Sequence, residues 1–424
     1  MVTTLKRRLY FTLAAYFRIW ASIKLHRWAP KIIVVTGSAG KTTLLHLIEA
    51  QLGKEAHYSH HANSAYGIPF DILGLEQIHQ SRWDWFGLFI KAPFRALTPT
   101  YAQKMYVVEV DADRPKEAQF LANLLHPDIT LWVSSLHTHT DKFDEVVGDG
   151  HFKRPEEAIA YEYGNLLAKT KEHVILNGDS KLVKLQVKRT KASVEEVSLD
   201  DLAKYSVSFT ETTFEFNEKT YSVPGIQPRA VYYQIAFVDR LLTLLGKQPD
   251  VAYRAFIPPP GRTSVLKGVR GTTIIDSTYN NSNFDSLKTV VDMFDTLSAD
   301  HKWLVLGDLL EQGKNEAREH AKIADLLVGK HFERVLLVGK RISQQTAPLL
   351  PDAFRQASRV GIFEHPAELR DYLLEQLKGG EAILFKGAGF LEGVIEVLLA
   401  DQDDKAKLVR QDGMQQRRRK DFGL

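Results

Sequence analysis

The chain contains no cysteine and only 4 methionines among its 424 residues. The absence of cysteine excludes disulfide bonds, thiolate metal sites and cysteine nucleophiles. It also fits the reducing cytoplasm, where we expect the protein to work. Any metal ion must therefore be held by oxygen or histidine ligands.

Strong net charge and long hydrophobic runs are absent as well. The chain has 55 basic and 52 acidic residues, a formal net charge of +3, so no overall field points to a specific nucleic-acid partner. The uncharged run at residues 9–17 is far shorter than the ~20 residues of a membrane span. Near the end, residues 417–420 (RRRK) indicate either a solvated helix end or a disordered arm.

Residues 1–28 form a basic, aromatic-rich segment that the pattern predicts to be helical. Two interpretations are open. The helix could make peripheral contact with the anionic surface of the inner membrane, or it could pack on the next domain. A second aromatic segment lies at residues 83–94. We predict that it is buried in the protein rather than exposed as an apolar binding surface.

The most informative stretch is residues 32–48, in which an apolar run enters a turn of small residues and continues into an apolar helix. A strand, a phosphate loop and a helix are typical of a nucleotide triphosphate site with Mg²⁺. Glycines let backbone amides converge on the phosphates, Lys41 is expected to reach the outer phosphates from an exposed loop, and Thr42 offers its hydroxyl to the metal. The predicted loop contacts are Gly37, Ser38, Ala39, Gly40, Lys41, Thr42 and Thr43.

Strand-like and helix-like patterns alternate along most of the chain, which predicts an α/β fold with a mostly parallel sheet. Ligands of such sheets lie beyond the carboxyl ends of the strands. Glu109 follows one predicted strand and His139 follows another. With Thr42 they form the predicted Mg²⁺ site.

The Pro-Gly segment at residues 257–261 is the clearest domain boundary. Beyond it a second alternating pattern predicts a smaller Rossmann-like α/β domain. We therefore divide the chain into a basic helix at 1–30, a nucleotide-binding domain at 31–258, a second domain at 259–400 and a charged tail at 401–424.

Several segments, in order along the chain, resemble the Mur ligase family. The loop resembles the ATP loop of that family, and the segments around Glu109 and His139 resemble its two magnesium-binding motifs. Others resemble its nucleotide contacts and glycine turns. The segments are 36–43 (TGSAGKTT), 63–69 (NSAYGIP), 108–115 (VEVDADRP), 139–143 (HTDKF), 261–262 (GR), 275–280 (IDSTYN), 306–313 (LGDLLEQG) and 385–388 (FKGA).

The resemblance implies an ATP-dependent amide ligase that works through an acyl phosphate, on a peptide or amino-acid substrate of peptidoglycan synthesis. It also implies that Arg262, Asp276 and Asn280 contact the nucleotide. Asn177, at the end of another predicted strand, joins this predicted set.

Two departures keep other functions open. Family members begin with a domain that holds a UDP-sugar, whereas residues 1–30 alone precede the first predicted strand. Within 159–164 (IAYEYG), Tyr163 stands where the family has a carbamylated lysine, and Glu162 points elsewhere on the helix. We expect a catalytic site rebuilt around Lys41, His139 and Tyr163. The alternatives are a non-ligating ATP-binding scaffold or partner subunit, and a ligase for a folate or polyglutamate chain; the sequence indicates no oligomeric state.

Overall fold

The protein folds as a mixed α/β chain in two compact units. The first unit is formed by residues 1–136, 142–199 and 233–249, and most of the second is formed by residues 200–232 and 250–424. The computed structural model describes residues 2–60, 62–76, 82–135, 142–143, 146–147, 150, 152–279, 284–310, 312, 315–355, 359–411, 413–420 and 422–424.

Six parallel strands make the sheet of the first unit, in the spatial order β2-β3-β1-β4-β5-β6. The four inner strands β3, β1, β4 and β5 are buried apolar runs, which explains why they form the centre of the unit, since a parallel sheet is covered on both faces. The order reverses beside β1, which opens a crevice at the carboxyl ends of β1 and β4. The strands are β1 (Lys31–Thr36), β2 (Ala56–Tyr58), β3 (Met105–Val110), β4 (Ile129–Trp132), β5 (His173–Asn177) and β6 (Ser193–Val197).

The helices described in this part of the chain cover that sheet. They are α1 (Val2–Trp28), α2 (Lys41–Leu52), α3 (Gly67–Leu73), α4 (Arg82–Leu97), α5 (Glu117–Leu125), α6 (Pro155–Leu167), α7 (Lys181–Lys184) and α8 (Tyr232–Leu244). None of the described helices is long and apolar enough to cross a bilayer.

Helix α1 packs against the rest of the first unit, as one of its two interpretations requires. Phe17 is fully buried, with its ring centroid 4.8 Å from that of Phe70 and 5.0 Å from that of Phe89. The expected burial of residues 83–94 is wrong in part, because Phe86, Ile90 and Phe94 are exposed. Only one face of α4 contacts α1, so its other face remains at the surface.

A three-stranded antiparallel sheet and a second six-stranded sheet belong to the second unit. The small sheet has the order β7-β8-β9, and the large one β10-β11-β15-β12-β13-β14, parallel except for β10. The strands are β7 (Lys204–Val207), β8 (Glu211–Phe216), β9 (Lys219–Pro224), β10 (Ser264–Lys267), β11 (Thr273–Ser277), β12 (Lys302–Gly307), β13 (Arg334–Val338), β14 (Val360–Phe363) and β15 (Ala382–Lys386).

Helices of the second unit follow or connect these strands. They are α9 (Phe284–Thr296), α10 (Glu316–Val328), α11 (Lys340–Gln345), α12 (Asp352–Arg355), α13 (Pro366–Gln376), α14 (Leu391–Leu398) and α15 (Gly413–Lys420). In α15, Arg419 is buried, and its Nη1 donates to Glu396 Oε2 at 2.9 Å. The basic tail is therefore docked on α14 at this residue and is not a wholly solvated arm.

The predicted α/β class with a mostly parallel sheet is confirmed. Ser193–Val197 pairs in parallel with β5, and the antiparallel hairpins begin only at Lys204. The division at residues 30, 258 and 400 stays a prediction. The compact units combine segments that are far apart in the chain, and residues 200–232 belong to the second of them.

Gly307 is the position in the second sheet with the least room for a side chain. A Cβ there would lie 1.8 Å from the carbonyl oxygen of Ala388, and this neighbour is backbone that cannot rotate away. We predict that Gly307→Ala lowers the free energy of unfolding by about 2–3 kcal/mol, the cost of overpacking a rigid site.

Gly329→Ala is the matched control, because a Cβ there meets nothing within 4 Å. Chemical denaturation measures the free energy of unfolding of both variants. For Gly329→Ala we expect a change of at most about 0.5 kcal/mol. Equal midpoints for the two variants would contradict the close backbone approach.

Candidate functional site

Two glycines shape the loop between β1 and α2. Gly37 has φ +133° and Gly40 has φ +84°, backbone conformations that side chains rarely adopt. A Cβ on Gly37 would lie 2.8 Å from the backbone N and O of Ser134, and one on Gly40 would lie 2.1 Å from Gln234 Nε2. The loop is therefore a close-packed glycine turn at the carboxyl end of β1, as the sequence predicts.

Ser134 braces this loop from the end of β4. Its carbonyl accepts a hydrogen bond from the Ser38 amide at 3.0 Å. Its hydroxyl accepts from the Ala39 amide at 2.9 Å and lies 2.9 Å from the Ala39 carbonyl, to which it donates. Sequence reasoning missed Ser134 and Gln234, because their role depends on which strand and helix lie beside the loop.

Lys41 is the first residue of α2, and only 8% of its surface is exposed. Its Nζ donates to the Gly37 carbonyl at 2.7 Å and forms an ion pair with Asp111 Oδ2 at 3.0 Å. Burial disfavours the charged amine, but the carboxylates of Asp111 and Glu109 outweigh it and raise the pKa of Lys41. The expectation of an exposed loop lysine is wrong.

Tyr163 completes a chain of polar contacts behind Lys41. Its hydroxyl donates to Asp111 Oδ1 at 2.9 Å, and the side chain is 1% exposed on the inner face of α6. Burial, and then the Asp111 carboxylate, raise the pKa of Tyr163 well above 10, so the phenol stays a donor at physiological pH. Glu162 points elsewhere, as expected, and its Oε1 accepts from the Lys116 amide at 2.9 Å.

Thr42 and Glu109 meet at the mouth of the loop. The Thr42 hydroxyl donates to Glu109 Oε2 at 2.8 Å, which places two oxygen donors of the kind that Mg²⁺ prefers side by side. The residues present fit the implied metal in this respect. The third predicted ligand, His139, lies outside the described residues, and the described part of the chain contains no group of three His, Asp or Glu side chains placed to hold a metal.

Two further predicted contacts lie in the first unit. Thr43 is half-buried in the first turn of α2. Asn177 ends β5, where its amide donates to the Val133 carbonyl at 3.1 Å and its Oδ1 accepts from the Asp179 amide at 2.9 Å. In the structure Asn177 joins the ends of β4 and β5, and its nucleotide contact stays a prediction.

The second unit holds the remaining predicted nucleotide contacts. The Arg262 guanidinium lies 4.0 Å above the ring of Tyr279. Asp276 is fully buried; its Oδ1 accepts from the amide and hydroxyl of Thr278, and its Oδ2 has no hydrogen-bond partner within the described residues. Burial raises the pKa of Asp276. Asn280 lies outside the described residues.

Lys386, which we did not single out as a site residue, lies at the end of β15. That strand pairs with β11, and Ser277 of β11 is in register with Lys386. Burial lowers the pKa of Lys386 to about 7, although the nearby Asp276 opposes the shift. A buried amine beside a buried carboxyl therefore marks the carboxyl ends of β11 and β15.

Comparison with known proteins identifies the family. The model of the Mur ligase middle domain matches residues 35–227, and the model of the Mur ligase glutamate ligase domain matches residues 261–389. Together they take in more than half of the chain. The chain belongs to the Mur ligase family. The predicted family is confirmed.

Two curated relatives of this Mur ligase share one name. The UDP-N-acetylmuramoyl-tripeptide–D-alanyl-D-alanine ligase of Borreliella burgdorferi is 22% identical over 397 residues, which are 89% of this chain and 76% of the relative. The Bacillus subtilis enzyme of that name is 24% identical over 379 residues, which are 87% of this chain and 75% of the relative. These relatives are named as ligases, which confirms the prediction of an ATP-dependent carbon–nitrogen ligase.

A solved structure supports the fold of this Mur ligase. The crystal structure of MurF ligase from Thermotoga maritima in complex with ADP superposes with a TM-score of 0.72 at 19% identity, covering 92% of this chain and 84% of the other. The likeness confirms the fold. The individual site residues stay predictions that rest on the contacts described above.

The buried Lys41–Asp111 pair leads to a prediction about stability. Lys41→Met removes the cation that pairs with Asp111 Oδ2 and leaves the hydrogen bonds that the Tyr163 hydroxyl and the Ala112 amide donate to Oδ1, so we expect the free energy of unfolding to fall by about 2–4 kcal/mol. The double variant Lys41→Met/Asp111→Asn should recover most of the loss, since no buried charge is then left unpaired.

Lys54→Met is the control, because Lys54 is exposed in the turn after α2 and its replacement should change stability by at most about 0.5 kcal/mol. Urea denaturation of the four proteins makes the measurement. A loss for Lys41→Met no larger than that of Lys54→Met would show that the pair contributes nothing.

The Tyr163–Asp111 hydrogen bond leads to a prediction about nucleotide use. Tyr163→Phe keeps the shape of the buried ring but removes one donor to a charged carboxylate, so Asp111 competes more strongly for Lys41. We expect kcat/KM for ATP to fall about tenfold to hundredfold, the cost of one hydrogen bond to a charged group.

Tyr161→Phe is the matched control on the same helix, since Tyr161 is 46% exposed and its ring, which contacts Arg189, is retained. Added bicarbonate should change neither variant, because no lysine occupies position 163. If the two variants have the same kcat/KM for ATP, Tyr163 does not contribute to nucleotide use.

Proposed function

We propose that this protein is an ATP-dependent amide ligase that acts on a peptidoglycan precursor through an acyl phosphate. The observation that carries the proposal is the buried, charge-paired Lys41 in a glycine turn, with Thr42 and Glu109 side by side at its mouth. This arrangement supports the proposal, because it brings one cation and two oxygen donors together beside the start of α2, and helix N-termini bind phosphates.

The proposed reaction has two steps. A carboxylate oxygen of the donor attacks the γ-phosphorus of ATP, and the bond from this phosphorus to the β-phosphate oxygen breaks to release ADP. A neutral amine then attacks the acyl carbon, and its nitrogen loses a proton as the amide bond forms. The carbon–oxygen bond to the phosphoryl group breaks, and inorganic phosphate leaves with that oxygen and the proton. Both steps depend mainly on positioning and on neutralising phosphate charge.

The residues of the first unit supply that charge and position. Lys41 offers a permanently charged ammonium group, held in place by the Gly37 carbonyl and by Asp111. Asp111 is in turn held by Tyr163. Thr42 and Glu109, with His139 as a third ligand, would hold Mg²⁺, which when bound neutralises charge on the transferring phosphoryl group.

The cofactors in this proposal are ATP and Mg²⁺. Arg262, Asp276 and Asn280 of the second unit contribute nucleotide contacts, as does Asn177 of the first. The Oδ2 of Asp276, which has no hydrogen-bond partner in the part of the chain that the structure describes, supports its place in this set, because a buried carboxylate oxygen needs a donor. The protein works in the cytoplasm, where ATP is made, with peripheral contact between residues 1–28 and the membrane.

The relatives' name suggests the first substrates to test, UDP-N-acetylmuramoyl-tripeptide and D-alanyl-D-alanine. Phosphate release should require both compounds together with Mg²⁺-ATP, and the amide product should appear in equal amount by mass spectrometry. ATP turnover that is the same without either substrate would overturn the ligase, and ATP binding without amide formation from any precursor would favour the scaffold.

The metal assignment predicts the behaviour of one variant in that assay. Glu109→Gln replaces a charged ligand by a neutral amide beside Thr42, so we expect a higher Mg²⁺ requirement and at least about a tenfold loss of turnover, with ATP binding in EDTA retained. Glu375→Gln, at an exposed position of α13, is the control. An unchanged Mg²⁺ titration for Glu109→Gln would place the metal elsewhere.

A further inference from the structure

Helix α4 presents a row of large apolar side chains to solvent. Phe86, Ile90, Phe94 and Leu97 are between 49% and 70% exposed, although this helix packs on its neighbours through Leu88, Ala92 and Ala96. The spacing of four, four and three residues places the exposed row along one face of the helix. We call these four residues the α4 stripe.

Helix α1 lies beside α4 and has exposed apolar side chains of its own. The Tyr16 hydroxyl donates to the Phe89 carbonyl at 2.7 Å, and Arg27 Nη1 donates to the Ala96 carbonyl at 2.6 Å. Ile19 and Ile23 of α1, one turn apart, are exposed as well. Because side-chain hydrogen bonds fix the two helices to each other along their length, the surface exists before any partner binds.

Basic residues far outnumber acidic residues on the two helices. They carry nine lysines and arginines against a single acidic residue, Asp84, whereas the whole chain has a net charge of only +3. The rest of the chain therefore has more acidic than basic residues. Arg27, Lys91 and Arg95 are exposed on the same pair of helices as the stripe.

An apolar stripe with basic flanks has the chemistry of a helix that lies in the interface of an anionic bilayer. Apolar side chains enter the boundary between headgroups and acyl chains, and basic side chains meet lipid phosphates. A second copy of this chain fits less well, because a symmetric dimer through this face would bring basic residues against basic residues.

We propose that the paired helices α1 and α4 dock this protein on an anionic lipid surface, with the α4 stripe as the part that enters the bilayer. The membrane contact expected of residues 1–28 is thereby assigned to two helices, in which α1 holds α4 in position. The proposal is independent of ligase activity, and it is tested without ATP or substrate.

Vesicle co-sedimentation of the full chain measures the docking. We expect binding to vesicles of equal parts phosphatidylglycerol and phosphatidylcholine at about 0.1 M salt, and much weaker binding to phosphatidylcholine alone. Phe86→Ser/Phe94→Ser should lower the partition coefficient at least about tenfold, since each phenylalanine loses its apolar contact with the bilayer. The control Ile257→Ser/Leu349→Ser changes two exposed apolar residues elsewhere and should leave binding unchanged.

The charge contribution is tested in the same assay. Lys91→Glu/Arg95→Glu should weaken binding to the anionic vesicles more than tenfold, whereas Lys267→Glu/Lys378→Glu, at exposed positions of the second unit, should have at most a small effect. Equal losses for the two charge reversals would indicate attraction by overall charge and would overturn the proposed surface. Thermal unfolding of each variant checks that it folds.

The cysteine-free chain allows a direct measurement of insertion. Phe94→Cys labelled with a polarity-sensitive fluorophore should shift to shorter wavelength with anionic vesicles, and labelled Leu349→Cys should not. Absence of vesicle binding, an unshifted label at position 94, or a dimer in sedimentation velocity that Phe86→Ser/Phe94→Ser dissociates would each overturn the proposal. The last outcome would assign the face to a second copy.

Discussion

The neutralisation of a buried ammonium group is the constraint on which the candidate site depends. Lys41 is largely shielded from water, so its charge has to be balanced within the protein, and Asp111 does so at 3.0 Å. Asp111 itself is held by the Tyr163 phenol. The turn after β3 and the inner face of α6 are therefore both tied to the phosphate loop through a single carboxylate.

This arrangement gives a physical meaning to the tyrosine at position 163. A phenol whose pKa is raised well above 10 cannot supply the negative charge of a carbamylated lysine, but it can donate a hydrogen bond. Asp111 uses that hydrogen bond while its other oxygen pairs with Lys41. The site thus keeps a negative group close to Lys41, and provides it from the end of β3.

The two units handle buried charge differently. In the first, Lys41 and Asp111 lie in direct contact, and the pKa of the lysine is raised. In the second, burial outweighs the nearby Asp276 and lowers the pKa of Lys386 to about 7. Lys41 is therefore a cation at neutral pH, whereas the pKa of Lys386 lies close to neutral pH, a distinction that the identity of the residue does not reveal.

The sequence by itself determined the order of strands and helices, the phosphate loop, the choice of Thr42 and Glu109 as predicted oxygen ligands, and the family, because these depend on periodicity, glycine positions and short local motifs. Only the tertiary structure decided that Lys41 is buried, that Ser134 braces the loop and that Asp111 joins Lys41 to Tyr163, since those contacts connect residues up to 95 positions apart. It also decided that α4 is half exposed, because the face a helix buries depends on the neighbour it meets. Local sequence patterns identify the candidate catalytic and binding residues. Tertiary packing determines their charge states and the residues that they contact.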